Sequence, residues 1–372
     1  MSAQVVATLP RAWLLLIAVV ALSIIAPRAL AAQQAASEQL QFLPVRGNIY
    51  MLQGAGANIT VSIGRDGVLM VDSGLASMGN QVLAAIRRLQ NQLDLRDKPV
   101  GWGAETRSSV ADRNVESPAK PIRYIINTHV HADHVGANEL LRRSGMTFTG
   151  GNVTGNISDA TEGGAIMAHE AVLVRMTSTT GGATPVPADA QPTDTYYTDT
   201  MKLSHFFNGE GVQLIHQPAA HTDGDTLVWF RGSDVIAAGD VFSTTTYPII
   251  DVKQGGTING VVQGLNRILR LSIAEFRTEG GTLVVPGHGR LSDSADVAYY
   301  RDMVTILRDR VQAMVAKGMT LEQVKATKPT ADYDPRYGAT TGPWTTDQFV
   351  EAAYLSLGGG KPTPRTAPGR SK

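Results

Sequence analysis

The sequence predicts an α/β protein in which two β-rich halves pack face to face and carry helices on their outer sides. Short apolar runs of strand length alternate with longer runs of helical periodicity, and this order recurs in both halves of the chain. Hydrophobic residues make up 43% and charged residues 18% of the 372 residues, which is typical of a folded chain with a sizeable core. This length suits either two domains or one large sandwich.

Three strands are predicted near the start of the chain, at residues 48–54, 57–63 and 68–71. The turn Gly64-Arg65-Asp66-Gly67 separates the last two strands, as in a hairpin. A helix is predicted over residues 78–93, where apolar residues recur at helical spacing. A short buried strand at 122–126 and a helix at 135–143 then enclose a loop rich in histidine.

The second half contains six predicted strands, at residues 165–169, 201–207, 212–216, 226–230, 235–238 and 282–285. Two helices are predicted, over residues 259–276 and 294–315. This succession of strands followed by helices is what favours two layered sheets with helices outside.

The N-terminal residues 1–32 are predicted to be a secretory signal peptide. Arg11 precedes the apolar run 12–26, and Ala29 and Ala31 supply the small residues of a cleavage box. The run is shorter than the ~20 apolar residues of a spanning helix, so cleavage is favoured over a permanent membrane anchor. The mature protein is therefore expected in the periplasm or outside the cell.

Residues 38–357 are predicted to form one domain. Within it, residues 94–120 are polar and weakly patterned, and they are longer than most connections, which indicates an insertion or a flap over a site. Residues 358–372 are rich in glycine, proline, lysine and arginine, so a disordered tail is predicted there.

Composition excludes some classes of protein. The chain has no cysteine, so the fold is expected to lack disulfides and a lipid-modified cysteine. Basic and acidic residues balance at 33 each, and no basic face for a nucleic acid is expected. The expected partner is a small-molecule substrate, and the oligomeric state is left open.

The stretch NTHVHADHVG, residues 127–136, supplies the strongest functional signal. It places three of the eight histidines and one aspartate within a single hexapeptide at the end of a predicted strand. Imidazole nitrogens and a carboxylate are donors that a catalytic zinc prefers. We therefore interpret this loop as part of a metal site, and an accidental cluster of surface histidines as the weaker alternative.

The hexapeptide His-x-His-x-Asp-His resembles the signature of the metallo-β-lactamase superfamily. Three later segments resemble the remaining ligand loops of that family in the expected order: AAHTDGDT around His221, AAGDVF around Asp240, and VVPGHG around His288. The resemblance covers residues 48–291. It implies an αββα sandwich of two mixed β-sheets with helices on the outer faces, and two metal ions in a groove at one edge of the sheets.

The resemblance also implies a role for each residue. His129, His131 and His221 would hold one zinc ion, Asp133, His134 and His288 would hold a second, and Asp240 would bridge them. Two metals that share a water lower its pKa and present hydroxide to a carbonyl. Asp133 would also carry the proton to the leaving group, so that Asp133 and Asp240 take part in catalysis. Iron or manganese are the alternatives to zinc.

Several other polar residues have alternative interpretations. Tyr247 is a candidate donor to an oxyanion or a carbonyl, as in related lactonases, and a packing role is the alternative. Asp72 matches a family motif that supports the metal loops, and a strand-end turn is equally compatible with it. His169, His205 and His216 are interpreted as structural, and turn roles are expected for Asp223 and Asp225.

The resemblance implies a metal-dependent hydrolase of an ester, thioester, lactone or lactam. A dedicated β-lactamase is the second hypothesis, because the bridging carboxylate is more typical of thioesterases and lactonases. A non-catalytic periplasmic metal-binding accessory protein and a mononuclear iron persulfide dioxygenase are the others. The substrate is expected to be selected by four segments: residues 54–58, 94–120, 178–188 and 242–250.

Overall fold

The computed structural model describes residues 40–93, 121–146, 163–179, 184–272 and 280–359. The predicted signal peptide, the 94–120 insertion and most of the predicted tail lie outside these ranges. The chain divides into two units, Met1–Gln41 and Phe42–Lys372. All the predicted site residues belong to the second unit.

The first sheet has seven strands in the sequential order β1 to β7. They are β1 Gln41–Arg46, β2 Ile49–Ala55, β3 Ala57–Gly64, β4 Gly67–Val71, β5 Ile122–Ile126, β6 Ala165–His169 and β7 Asp194–Tyr196. Strands β2 to β4 run antiparallel as a meander, whereas β4 to β7 are parallel. The parallel strands therefore all end at the same edge of the sheet.

The second sheet has six strands in the order β13-β12-β11-β10-β9-β8. They are β8 Thr200–Lys202, β9 Val212–His216, β10 Thr226–Phe230, β11 Val235–Ala237, β12 Leu283–Val285 and β13 Ser292–Asp293. Only β11 and β12 are parallel, with Ala237 opposite Val285. Asp240 lies three residues after Ala237, and His288 lies three residues after Val285. The parallel register therefore places Asp240 and His288 side by side.

Nine helices accompany the sheets in the described part of the chain. They are α1 Gly79–Gln92, α2 Ala132–Val135, α3 Asn138–Arg143, α4 Glu170–Thr177, α5 Ile258–Leu271, α6 Ser294–Ala316, α7 Leu321–Ala326, α8 Asp334–Tyr337 and α9 Thr346–Ser356. Helices α3 and α4 lie against β6 of the first sheet. Helices α5, α6 and α9 cover the outer face of the second sheet through apolar side chains such as Leu265, Leu307 and Phe349.

The inner faces of the two sheets form one apolar layer. Met51, Leu69 and Ile126 of the first sheet belong to the same buried cluster as Leu214 and Val228 of the second. Burial of this area from water is the main force that holds the sheets together. The αββα sandwich expected from the resemblance is therefore the observed fold.

Most predicted elements agree with the structure to within two residues, with three differences. The helix predicted at 135–143 is broken into α2 and α3 around Gly136, where a side chain would collide with Gly74 O and Ala76 N of a neighbouring segment. The strand predicted at 201–207 ends at Lys202, and Phe207 is buried between the sheets instead. The helix predicted to reach residue 276 is described only to Leu271, since 273–279 lie outside the described residues.

Other elements were missed because they carry little periodicity. Strand β7 has a polar sequence, and α7 and α9 are short. Both helices begin with a capping box, Thr320 with Gln323 and Thr345 with Gln348, and this is a sequence signal that would have located them. Across the residues that the structure describes, none of the helices has both the length and the apolar character needed to cross a membrane.

Candidate metal centre

The predicted ligands converge at the carboxyl ends of strands from both sheets. The loop after β5 supplies His129 and His131, and helix α2, which follows it, supplies Asp133 and His134. The segments after β9, β11 and β12 supply one ligand each. Their donor atoms form two compact groups that could hold metal ions: His129, His131, His221 and Asp240 in one, and Asp133, His134 and His288 in the other. This is the division that the resemblance implied.

Asp240 stands between the two groups. Its Oδ2 is 3.9 Å from Nε2 of His129 and 3.9 Å from Nε2 of His221. Its Oδ1 is 3.3 Å from Nε2 of His134 and 3.5 Å from Nε2 of His288. Each carboxylate oxygen therefore faces a different group, which is the geometry that a bridging ligand requires.

Asp72 orients one histidine of each group. Its Oδ2 lies 2.7 Å from Nδ1 of His134 and accepts a 2.8 Å hydrogen bond from the Thr128 hydroxyl. The hydroxyl oxygen is in turn 3.0 Å from Nδ1 of His129. With both Nδ1 atoms used in this way, the Nε2 atoms of His129 and His134 are directed at Asp240. Asp72 therefore has the supporting role that the family motif suggested.

His131 is oriented by a residue that the sequence did not single out. Its Nε2 is 3.1 Å from Oδ2 of Asp251, so Nδ1 is the atom left for a metal. The Asp251 backbone N–H donates to the carbonyl of His221, which ties this aspartate to a second ligand loop. No sequence signal marks Asp251, because 120 residues separate it from His131.

Asp225 combines a turn role with a contact to His221. Its carboxylate accepts hydrogen bonds from the backbone N–H and the hydroxyl of Thr222, both at 2.8 Å. The Oδ1 atom also lies 3.5 Å from Nδ1 of His221. The predicted turn role is present, and the carboxylate in addition lies close to the His221 ring without a hydrogen bond to it.

The His288 loop is fixed by Asn58 and Gly287. The Asn58 side chain donates to the carbonyls of Pro286 and Gly289, on either side of the histidine. A side chain on Gly287 would approach Oδ1 of Asp240 to 2.0 Å. Only glycine therefore allows this loop to pass so close to Asp240.

The seven predicted ligands, called the cluster below, change one another's pKa values: His129, His131, Asp133, His134, His221, Asp240 and His288. Burial opposes ionisation of Asp240, but the surrounding histidines, His134 first, lower its pKa well below the usual value. Burial likewise opposes protonation of His288, yet Asp133 and Asp240 raise its pKa to about 9. The carboxylates thus create a site that attracts positive charge, for which protons and metal ions compete.

His129 shows the opposite behaviour. Burial, followed by the nearby His134 and His221, lowers its pKa well below the usual value. The ring is therefore neutral, and a neutral imidazole has the lone pair that a metal needs.

Buried atoms without hydrogen-bond partners test whether the cluster suits a metal. Among the described residues, such atoms include Nε2 of His129, His134 and His221 and Oδ1 of Asp240. Buried polar atoms without partners are rare and costly. Three such nitrogens around one carboxylate, together with an oxygen of that carboxylate, are all competent donors to zinc and fit a metal centre.

Comparison with known proteins identifies the family. A family model described as the metallo-beta-lactamase superfamily matches residues 52–288. The chain belongs to the metallo-β-lactamase superfamily. A curated relative, the metallo-beta-lactamase type 2 of Bacillus cereus, is 22% identical over 185 residues, which are 50% of this chain and 59% of the relative. The chain thus spans a little over half the length of that relative.

Solved structures of other proteins are also similar. The crystal structure of the DIM-1 metallo-beta-lactamase is 15% identical, with a TM-score of 0.46 over 72% of this chain and 97% of that one. A double mutant of the sec-alkyl sulfatase PisA1 is 14% identical, with a TM-score of 0.53 over 85% of this chain and 50% of that one. At this identity, the sulfatase likeness shows the fold alone.

Tyr247 does not have the surroundings expected of a catalytic donor. The residue is buried, and its hydroxyl lies 2.8 Å from Oδ1 of Asp334 and 3.1 Å from the carbonyl of Thr330. Its ring stacks on Phe349 at 4.7 Å. The structure therefore corrects the catalytic interpretation of Tyr247: its hydroxyl is used within the core of this metallo-β-lactamase fold.

Of the three histidines outside the cluster, His169 and His216 have the packing contacts expected of structural residues. His169 and His216 stack with 3.6 Å between ring centroids. Nδ1 of His169 accepts a hydrogen bond from Ala171 N at the start of α4, and Nε2 of His216 lies 2.8 Å from the carbonyl of Asp223. His205 is exposed. None of these three belongs to either metal group found among the described residues.

A cleft of about 410 Å³ opens onto the cluster and contacts His131, Asp133, Asp240 and His288. One wall comes from the segment after β11, including Ser243 and Ile249, as predicted. The opposite wall comes from residues 339–344, between α8 and α9. The sequence reasoning missed this second wall, which lies outside the 52–288 range of the metallo-β-lactamase match.

Proposed function

We propose that this protein is a dinuclear zinc hydrolase of a carbonyl ester, thioester, lactone or lactam. The observation that supports the proposal is the position of Asp240, which directs one oxygen at each group of ligands. In this proposal one zinc is held by His129, His131 and His221 and the other by Asp133, His134 and His288, with Asp240 as the bridge. Iron and manganese remain alternatives that a metal analysis distinguishes.

A pair of zinc ions in such a set would supply a hydroxide near neutral pH and polarise the carbonyl that it attacks. The residues of the chain hold the groups around the reacting carbonyl in position. Asp72 and Asp251 fix the orientation of three histidines, so that little rearrangement is needed during the reaction. Asp133 lines the cleft and has a side chain 32% exposed, which places it where it can accept the proton of the attacking water and pass it to the leaving group.

The decisive experiment combines metal content with turnover. Plasma mass spectrometry would be applied to the wild type, to Asp240→Ala, and to Asp309→Ala as a control for loss of an exposed aspartate. Hydrolysis of a thioester, a lactone, aryl esters and nitrocefin would be measured on the same samples. About two zinc ions per chain, lost together with hydrolysis in Asp240→Ala alone, would support the proposal.

Three other outcomes point to the alternative functions. Hydrolysis of nitrocefin far above that of the esters would indicate a dedicated β-lactamase. Zinc without turnover on any substrate would indicate a metal-binding accessory protein. One iron per chain, with oxygen uptake in the presence of a persulfide, would indicate a persulfide dioxygenase and contradict the hydrolase.

We also propose that the protein acts outside the cytoplasm. The support is the order of Arg11, the apolar run 12–26 and the alanines at 29 and 31, which is typical of a cleaved signal. N-terminal sequencing of the protein from a periplasmic fraction would show a start within residues 30–33 if cleavage occurs. Recovery of the intact N-terminus in the membrane fraction would contradict it.

A further inference from the structure

The wall formed by residues 339–344 is the feature that the proposed function leaves unexplained. Ala339, Thr341, Pro343 and Trp344 all line the cleft above the metal cluster. The segment is closed at its base, because Thr346 N donates to Ala339 O at 2.9 Å and Ala339 N donates to the Thr346 hydroxyl at 3.1 Å. It is therefore a defined loop whose shape the fold fixes.

The residues that precede this loop contact the 242–250 segment. Tyr247 lies between Thr246 and Ile249, which line the cleft, and its hydroxyl contacts Asp334 and Thr330 on the C-terminal side. A buried tyrosine thus ties the 242–250 segment to the residues on the N-terminal side of the 339–344 loop.

The chemistry of the walls is uniform. Beyond the metal cluster, the lining residues are either apolar, such as Ile249, Pro343 and Trp344, or neutral hydroxyl residues, such as Thr245 and Thr341. Among the described residues that line this cleft, none is lysine or arginine. A carboxylate at the far end of a substrate, away from the metal ligands, therefore has no cationic side chain to pair with among these described lining residues. Burial of an unpaired charge is costly.

Trp344 offers the largest apolar surface in the cleft. It is partly buried against the core formed with α9, and its indole nitrogen is fully buried. The part of the side chain that reaches the cleft is therefore carbon. An aromatic ring held in this way suits an alkyl or aryl group that lies flat against it.

Lysines occur nearby, but in a different cavity. Lys325 and Lys328 line a second cavity of about 620 Å³, which shares Ala339 and Thr341 with the cleft but none of the metal-cluster residues. Lys325 is in addition paired with Glu351 at 2.9 Å. Neither lysine is among the described residues that line the cleft over the predicted metal ligands.

We propose, on the basis of the hydrolase function above, that the cleft selects neutral substrates with a hydrophobic acyl group, and that Trp344 is the residue that binds this group. The prediction is a preference for long uncharged acyl chains over short ones and over chains that end in a carboxylate.

The kinetic test uses the full-length zinc-loaded protein and p-nitrophenyl esters. In the wild type, kcat/KM is expected to rise about tenfold from acetate to octanoate, because each additional methylene is transferred from water into the cleft. The p-nitrophenyl ester of adipic acid matches the hexanoate ester in length, but its acyl chain ends in a carboxylate. It is expected to react about tenfold more slowly than the hexanoate ester. Trp344→Ala should abolish the dependence on chain length through KM, and Trp344→Phe should retain it.

Trp229 provides the matched control. It is also a partly buried tryptophan packed on the same core with a buried indole nitrogen, but it lies on β10 and does not line the cleft. Trp229→Ala should leave the chain-length dependence intact. A dependence that persists in Trp344→Ala, or adipate turnover equal to that of hexanoate, would overturn the proposal.

A binding measurement separates failure of this proposal from failure of the hydrolase function. Octanamide, which resists hydrolysis, would be titrated calorimetrically into wild type and variants with and without zinc. Weaker binding by about tenfold in Trp344→Ala but not in Trp229→Ala would support the assignment of the cleft even if no ester is hydrolysed. Equal dissociation constants in all three proteins would refute it even if esters are hydrolysed.

Discussion

Asp72 and His134 meet at 2.7 Å, between Oδ2 and Nδ1, in the buried interior beneath the metal cluster. Asp72 has a backbone φ of 67°, in the left-handed region that few residues other than glycine, asparagine and aspartate adopt. This conformation ends β4 and turns the carboxylate towards the loop after β5. The neighbouring parallel strands, with Val71 opposite Ile126, bring the two residues together.

Replacement of Asp72 by asparagine should weaken metal binding. Asparagine tolerates the left-handed backbone, so the change removes mainly the charge that orients His134 and, through Thr128, His129. Loss of such a supporting carboxylate typically costs about 10- to 100-fold in metal affinity. Zinc affinity measured by competition with a chelator checks this. Asp66→Asn is the control, because Asp66 accepts a hydrogen bond from Asn208 N and is not part of the cluster. Equal zinc affinity in the two variants would contradict the role of Asp72.

Replacement of Asp251 by alanine should affect one metal more than the other. Asp251 contacts only His131 among the predicted ligand side chains in the described structure, and His131 belongs to the group with His129 and His221. We expect one zinc ion to bind about tenfold more weakly, with the second nearly unchanged. Asp251→Asn, which can still accept from His131, should show a smaller effect. Stepwise zinc titration by calorimetry measures both affinities, and equal loss at both sites would disprove the assignment.

Replacement of Tyr247 by phenylalanine should reduce stability without loss of chemistry. The variant keeps the stack on Phe349 but loses the hydroxyl contacts to Asp334 and Thr330, at a cost of about 1 kcal/mol in the free energy of unfolding. Denaturant unfolding and ester turnover would be measured together. A fall in kcat of about 100-fold, as when an oxyanion donor is removed, would restore the catalytic interpretation that the structure corrects.

His169 should make stability depend on pH. Burial and the adjoining His216 ring lower its pKa from 6.5 to about 4. As the pH falls through this interval, His169 binds a proton in the unfolded chain but not in the folded chain. The free energy of unfolding therefore decreases. His169→Asn keeps an acceptor for the α4 N-terminus but does not titrate, and should flatten this part of the profile.

The measurement for His169 is denaturant unfolding at several pH values between about 7 and about 4, with the difference between variant and wild type plotted against pH. The exposed His205, changed to asparagine, is the control and should follow the wild-type curve. A constant difference between His169→Asn and wild type across the interval would show that the stack does not perturb the titration.

The sequence by itself determined the parts of the site that are local. His129, His131, Asp133 and His134 lie within one strand-to-helix loop, so their spacing alone predicts that they converge. Apolar runs such as Ile122–Ile126 and Val212–His216 are long enough and regular enough to mark buried strands. The order of the later ligand loops then identified His221, Asp240 and His288 through family resemblance.

The tertiary structure decided which residues support and surround that loop. The contacts of Asp72 with His134, Asp251 with His131, and Tyr247 with Asp334 join positions far apart in the chain. Such contacts depend on which strands are neighbours and on how helices pack over them, and neither is encoded in the spacing of residues within a single element. The residues around Trp344 select what enters the cleft. For the same reason, they could be identified only from the packing of α9 against the second sheet.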